Sequence, residues 1–304
     1  MKQLKKEGVA YLCLLLMTAI IGFSFIFVKI ALRHALPVDL LAHRFTAAAL
    51  GMFLFYFLRR KKWPVFNWKS LASLLPLSLF YPILLFSLQT IGLQFTTASE
   101  AGIISATAPI FTLILAFLFL KEKNTVWQLL SVLLSVGGVV YIMYMNGVGT
   151  ISSETLKGDL FILLSVLSMS IYFVLARKAT RHFNAMDITF FMTFVACVVF
   201  NVIAVARHAG SGTLPQFFVP FQHSEFLWSI LYLGVLSSFL TSFLTNTALT
   251  VIPASRVSIF NNLSPVITVF AGILILGETL HGYHIIGGAM VLIGILGVNA
   301  LKKK

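Results

Sequence analysis

Asn261, Ser264, Pro265 and Thr268 fall at i, i+3, i+4 and i+7, so in a helix they share one face. Ser105, Ala108, Pro109 and Thr112 repeat that spacing in an earlier apolar run. Each proline lacks an N–H, so the carbonyls of Ser105 and Asn261, four residues before, lose their usual helical donor. Hydroxyls, an amide and unpaired carbonyls on one face of an otherwise apolar helix can hold a small solute through a few hydrogen bonds. The same residues also suit hydrogen bonds between helices, with the prolines acting as kinks.

Other stretches offer related chemistry. The segment SSFLTSFLTNTALT places Ser238, Ser242 and Asn246 on one face, with Thr241 and Thr245 beside it. Tyr81, Phe86 and Gln89 in one run, and Ser165, Ser168 and Tyr172 in another, combine aromatic surface with a few polar groups. That mixture suits a small amphipathic ligand, and it suits helix packing equally. Arg44 lies inside an apolar run with His43 beside it and Asp39 nearby. A charge at that depth costs roughly 2.5 to 3.5 kcal/mol, so it either snorkels outward or pairs within the bundle, and a structural role stands ahead of substrate binding or coupling. Glu100 reads first as a snorkelling interfacial residue, and it is also the carboxylate best placed for proton coupling. Glu278, His281 and His284 are spaced like metal ligands but straddle the start of a run, and no metal site is expected there. Cys13 and Cys197 lie in separate apolar runs, which suits neither a disulfide framework nor a zinc set.

The elements that must position these residues are apolar runs near 8–32, 37–58, 70–93, 96–119, 125–145, 158–176, 186–206, 226–249, 252–276 and 281–301. Each is about 20 to 25 residues, enough to cross roughly 30 Å of hydrocarbon as a helix, whereas barrel strands are about half as long. With 59% hydrophobic and 10% charged residues the chain lies outside the range of soluble domains. The first run is too long for a signal peptide and reads as an uncleaved helix. The net charge of +13 does not point to nucleic acid, because the basic residues sit in short connections. Lys2, Lys5, Lys6, Arg59 to Lys62, Lys69, Lys121, Lys123, Arg177, Lys178, Arg181 and Lys302 to Lys304 fall on one side, against Arg33, Lys157 and Arg207 on the other. Both termini are therefore expected in the cytoplasm.

Internal repetition fixes the domain organisation. Residues 93–122 align without a gap on 249–278, matching Ala98, Ser99, Pro109, Thr112 and Glu122 with Ala254, Ser255, Pro265, Thr268 and Glu278. A second register matches Phe25, Arg33, His34 and Asp39 with Phe173, Arg181, His182 and Asp187. The expected domains are residues 1–150 and 151–304, each of five helices. An odd number per copy inverts the second relative to the first, an arrangement that supports alternating access in secondary transporters.

The segments FSFIFVKIAL, HRFTAAAL, FTTASEAGIISATAPIFTLILAFLFLKEK and VIPASRVSIFNNLSPVITVFAGILILGETL together resemble the drug/metabolite transporter superfamily, specifically its EamA-type members. The likeness covers nearly the whole chain. It implies an all-α integral membrane protein of ten transmembrane helices around a central cavity, and for bacterial members the efflux of amino acids, other metabolites or drugs. The expected partners are the lipid bilayer, a small-molecule substrate and a proton as coupling ion, with no cofactor and no nucleic acid. No GxxxxGK[ST] loop is present, which argues against ATP as energy source. Carriage of nucleotide sugars or lipid-linked sugars is a related alternative. A channel or scaffold is a further one, and an intramembrane lipid enzyme lacks the clustered acids or metal site it would need.

Overall fold

A computed structural model of the chain describes residues 2–60, 64, 66–120, 126–149, 153–254, 257 and 263–300. Asn261, Arg256 and Glu122 lie outside the described residues. In order, the helices are α1 (Lys2–Ala31), α2 (Pro37–Leu58), α3 (Trp68–Ser78), α4 (Leu85–Phe95), α5 (Ala98–Ser105), α6 (Ala108–Leu120) and α7 (Val126–Gly149). They continue with α8 (Ser153–Ala179), α9 (Ala185–Ser211), α10 (Ser224–Leu231), α11 (Thr241–Val251), α12 (Leu263–Leu276) and α13 (Gly282–Ala300). Among the described residues there are no strands.

Six helical stretches are long and apolar enough to cross a membrane, with mean hydropathy between 1.4 and 2.5: Gly8–Ala31, Pro37–Leu58, Ser70–Phe95, Glu154–Ala179, Ala185–Ser211 and Ser224–Val251. Ser264–Leu276 and Gly282–Gly294 are shorter apolar helices. Two of the long stretches carry a π-helical segment midway, Leu79–Leu84 between α3 and α4 and Tyr232–Leu240 between α10 and α11. In the first, Tyr81 leaves the helical region altogether, at φ −139 and ψ 115. Such segments release backbone groups from the regular ladder and concentrate at functional sites.

The run expected over 96–119 is not one helix. It divides into α5 and α6 at Ala106 and Thr107, with Pro109 the second residue of α6. In a first turn the missing proline N–H costs nothing, because the first four N–H groups have no intrahelical acceptor. The proline thus starts a helix where a kinked interior was the alternative. Pro265 is likewise the third residue of α12 as described. The long connection expected over 207–225 is also ordered. Gly212, at φ +67, ends α9 and lets the Thr213 N–H bond the His208 carbonyl, and Leu214–Gln222 forms a 3-10 helix whose Phe217 is buried.

Helix pairs α1/α12, α2/α9, α4/α8 and α7/α13 form the main packing contacts. Small residues set the closest approaches: a Cβ on Gly92 would lie 2.9 Å from the Gly158 carbonyl oxygen, so α4 and α8 touch backbone to backbone there. At one end of α2/α9, Asp39 is buried and accepts from Arg207 Nη1 at 3.2 Å and from His208 Nε2 at 3.1 Å. Asp187, its partner in the repeat, instead bonds Asn184 at 3.0 Å in a half-exposed turn. A hydrogen bond to a charged group contributes about 1.5 to 3 kcal/mol. Asp39→Ala is therefore expected to destabilise the purified protein by that order in thermal unfolding, and Asp187→Ala by less than about 1 kcal/mol. Equal losses at the two positions would contradict the clamp.

Candidate functional site

A small enclosed cavity lies where the broken helices meet. Ser24 from α1, Tyr81 from the first π segment, Phe86 and Gln89 from α4, Ser105 from α5 and Ser165 from α8 line it. Ser237, Thr241, Ser264 and Pro265 close it from the second half of the chain. Its volume is about 50 Å³, room for a few waters at about 10 to 15 Å³ each, so a larger solute requires the walls to part. A bigger groove of about 320 Å³ lies on the far side of Pro265 against α12 and α13, but apart from His284 its lining is apolar.

The polar groups around the small cavity divide by type. Ser24 donates to the Ile21 carbonyl, Ser165 to that of Ile162, Thr241 to that of Ser237 and Ser264 to that of Thr18, at 2.8, 2.6, 2.5 and 3.2 Å. A hydroxyl has one proton, so these four oxygens face the cavity as acceptors. Gln89 and Ser105 make no side-chain hydrogen bond among the described residues, which leaves both donors and acceptors there.

Arg44 stands one side chain behind this wall and is 1% exposed. It does not snorkel. Its Nε donates to Ser238 Oγ at 2.8 Å and its Nη2 to Ser237 Oγ at 3.1 Å, while the guanidinium carbon lies 4.0 Å from the centre of the Phe86 ring. Its Nη1 is buried with no hydrogen-bond partner, and no acid pairs with it among the described residues. The approach depends on Gly234, because a Cβ there would lie 2.6 Å from the Arg44 carbonyl oxygen. His43, next in sequence, is elsewhere: its ring stacks on Phe217 at 4.1 Å and donates to that residue's carbonyl at 2.8 Å.

Of the residues singled out in the sequence, Tyr81, Gln89, Ser105, Ser264 and Pro265 line the cavity. Pro109 sits at the helix break beyond Ser105, and Asn261 lies outside the described residues. Ser242, Tyr172 and Asn246 form an adjoining network. Ser242 donates to the Tyr81 hydroxyl at 3.0 Å, Tyr81 stacks on Tyr172 at 4.5 Å, Tyr172 donates to Asn246 Oδ1 at 2.8 Å, and Asn246 Nδ2 donates to Thr189 at 3.0 Å. Glu100 does not reach the surface: it is buried near the start of α5, where Thr96 donates to its Oε2 at 2.8 Å. Glu278 caps the same helix from a distant turn, its oxygens accepting from the Ala98 and Ser99 N–H groups at 2.7 and 2.8 Å. Gly277, at φ +68, aims it there. Ser237 and Asp159 carry no sequence signal for a site role, and Ser238 has only its place on the Ser242 and Asn246 face.

With both ends of its amide engaged, Asn246 acts as a bridge between α8, α9 and α11. Asn246→Ala is expected to lower stability by roughly 0.6 to 1.7 kcal/mol in thermal unfolding while leaving solute affinity of the folded fraction unchanged. Loss of affinity without loss of stability would contradict this.

The EamA-like transporter family model matches the chain twice, over residues 8–144 and 156–300. The chain is 46% identical over 299 residues to the protein named Uncharacterized transporter YcxC of Bacillus subtilis (strain 168), covering 97% of this chain and 94% of that one. It is 30% identical over 304 residues to Uncharacterized transporter YetK of the same organism, covering 99% and 89%. A solved structure titled "Crystal structure of protein" superposes with a TM-score of 0.63 at 15% identity, over 94% of this chain and 99% of that one, which shows a shared fold. Its long apolar helices and these matches together make the chain a multi-pass membrane protein of the EamA-like transporter family, a transporter and not an enzyme.

Proposed function

We propose that the chain is a secondary carrier that exports small amino acids or similar carboxylate-bearing metabolites across the cytoplasmic membrane, with a proton as coupling ion. Ten crossings in two inverted halves, residues 1–150 and 151–304, make up the carrier, and both termini lie in the cytoplasm. The six long helices, the 24-residue α7, the divided α5/α6 and the shorter α12 and α13 support this count.

The observation that carries the substrate class is Arg44. A guanidinium is always charged, and burying it without a counter-ion is costly unless an anion completes it. The hydroxyl partners it has are neutral. A substrate carboxylate arriving in the cavity supplies the missing charge, and it satisfies Nη1 once the Ser237 and Phe86 side chains that stand between them move apart. The four acceptor oxygens and Gln89 across the cavity then suit an ammonium group. Such an arrangement of donor on one wall and acceptors on the others fits a zwitterion better than a cation. Gln89, Tyr81, Ser105 and Ser264 are the expected contacts, and the division of α5 from α6 ahead of Pro109 gives the cavity a wall that can move, with Pro265 as its counterpart in the repeat.

In proteoliposomes, exchange of labelled for unlabelled amino acids is expected to saturate, to show counterflow and to need no nucleotide. Arg44→Gln should weaken binding about 10- to 100-fold, the equivalent of about 1.5 to 3 kcal/mol for a charge-assisted hydrogen bond, and Arg44→Lys should lose less. Conductance without saturation would show a channel instead, and an Arg44→Gln variant that folds and exchanges normally would remove the carboxylate reading. For orientation, a cysteine placed at Ser211 is expected to label from outside intact cells and one at Arg59 only after permeabilisation. The reverse pattern would overturn the topology.

A further inference from the structure

Two carboxyl groups are buried against each other where α5 and α8 begin. Asp159 is 0% exposed, and neither of its oxygens receives a hydrogen bond of ordinary geometry. Glu100 is 3% exposed; its Oε2 accepts a hydrogen bond from the Thr96 hydroxyl, and its Oε1 is buried without a donor. The two side chains lie within hydrogen-bonding reach of each other, with Thr96 beside both.

Ionised carboxylates are acceptors only, so two of them in contact form no hydrogen bond and repel by about 4 kcal/mol at 4 Å even for an effective dielectric of 20. One proton between them turns repulsion into an O–H···O⁻ bond. The surrounding groups do not replace that proton. Glu278, in the turn after α12, adds a further negative charge and is already held by the N–H groups of Ala98 and Ser99. Lys29 of α1 is within electrostatic range of Glu100 and Glu278 but forms no ion pair among the described residues. Tyr283 of α13 faces both acids, and His281 and His284 stand beside Glu278.

We propose that Glu100 and Asp159 form a proton-binding site, holding one proton between them while α5 and α8 are closed together and releasing it to water when that end of the carrier opens. The site is one-sided. In the second repeat Arg256 takes the position of Glu100, and in the first repeat Tyr11 takes that of Asp159, so the pair has no counterpart at the other end. A proton released at one end only gives the two faces different pH responses. Its part in the cycle rests on the proposed carrier function, whereas the site itself can be tested without transport.

The test is infrared spectroscopy of the full chain in lipid nanodiscs with no substrate added. The wild type is expected to show the C=O absorption of one buried, protonated carboxyl at neutral pH. Asp159→Asn and Glu100→Gln should each abolish it, because the amide takes the place of the protonated partner and keeps the helices packed, and Glu225→Gln, at an exposed acid, should leave it intact. Absence of the band in the wild type, or its survival in both variants, would overturn the site. In proteoliposomes with an amino-acid mixture as probe, Asp159→Asn should retain counterflow and lose stimulation by a pH gradient; stimulation equal to wild type would overturn its role in coupling. A band that behaves as expected in a protein showing no amino-acid counterflow would sink the carrier reading while leaving the proton site in place.

Discussion

Hydrocarbon offers no hydrogen bonds, so every polar group that this chain carries into the membrane must find its partner within the chain. The backbone meets that demand as helix. Isolated hydroxyls meet it by donating to carbonyls one turn back, as Thr46, Ser78, Thr112, Ser170 and Thr189 do. Against that background the exceptions stand out. Eight buried side-chain atoms among the described residues lack a hydrogen bond. Beside His34 Nε2, His284 Nε2 and the hydroxyls of Thr90 and Thr247 these are the Arg44 Nη1, the Glu100 Oε1 and both oxygens of Asp159, the charged groups, which cost about 1 to 3 kcal/mol or more each when nothing completes them. Something that arrives and leaves, an anion in one case and a proton in the other, is the simplest completion.

The same constraint explains where the helices break. Non-helical backbone at membrane depth is tolerated where it is buried in protein or lines a cavity. Both π segments meet that condition: Tyr81 of the first lines the cavity and stacks on Tyr172, and Ser237 of the second lines the cavity and holds Arg44. The division of α5 from α6 falls next to Ser105 on the same wall. Irregular backbone, buried charge and cavity thus coincide, and in a carrier that coincidence locates the parts that can shift between states.

Periodicity and length revealed the long helices, because an apolar run of membrane length has few alternative structures. They also pointed to Ser105 and Ser264, each on the polar face of its own helix, and to Tyr81 and Gln89 as polar groups within one apolar run. What a face meets is a different matter. The Ser242 and Asn246 stripe looks in sequence like a ligand surface, yet its partners are Tyr81, Tyr172 and Thr189 from other helices, a distinction that i, i+4 spacing cannot carry. Arg44 could be read outward or inward because its long side chain reaches either way, and only Ser237 and Ser238, far along the chain, settle its direction. Asp159 is the second residue of the run over 158–176, and nothing in its spacing marks it as buried. Its burial follows from the backbone contact of Gly92 with Gly158, which draws α8 against the start of α5.

If the cavity in front of Arg44 is the transport site, the most direct measurement is substrate protection of a cysteine placed at Ser105 in a chain lacking Cys13 and Cys197. In membranes, a small thiol reagent should label that position, and a saturating amino-acid mixture should slow the labelling while leaving a lipid-facing control at Leu274 unaffected. Labelling at Ser105 that proceeds at the same rate with and without amino acids, in protein that still exchanges them, would place the transport site elsewhere.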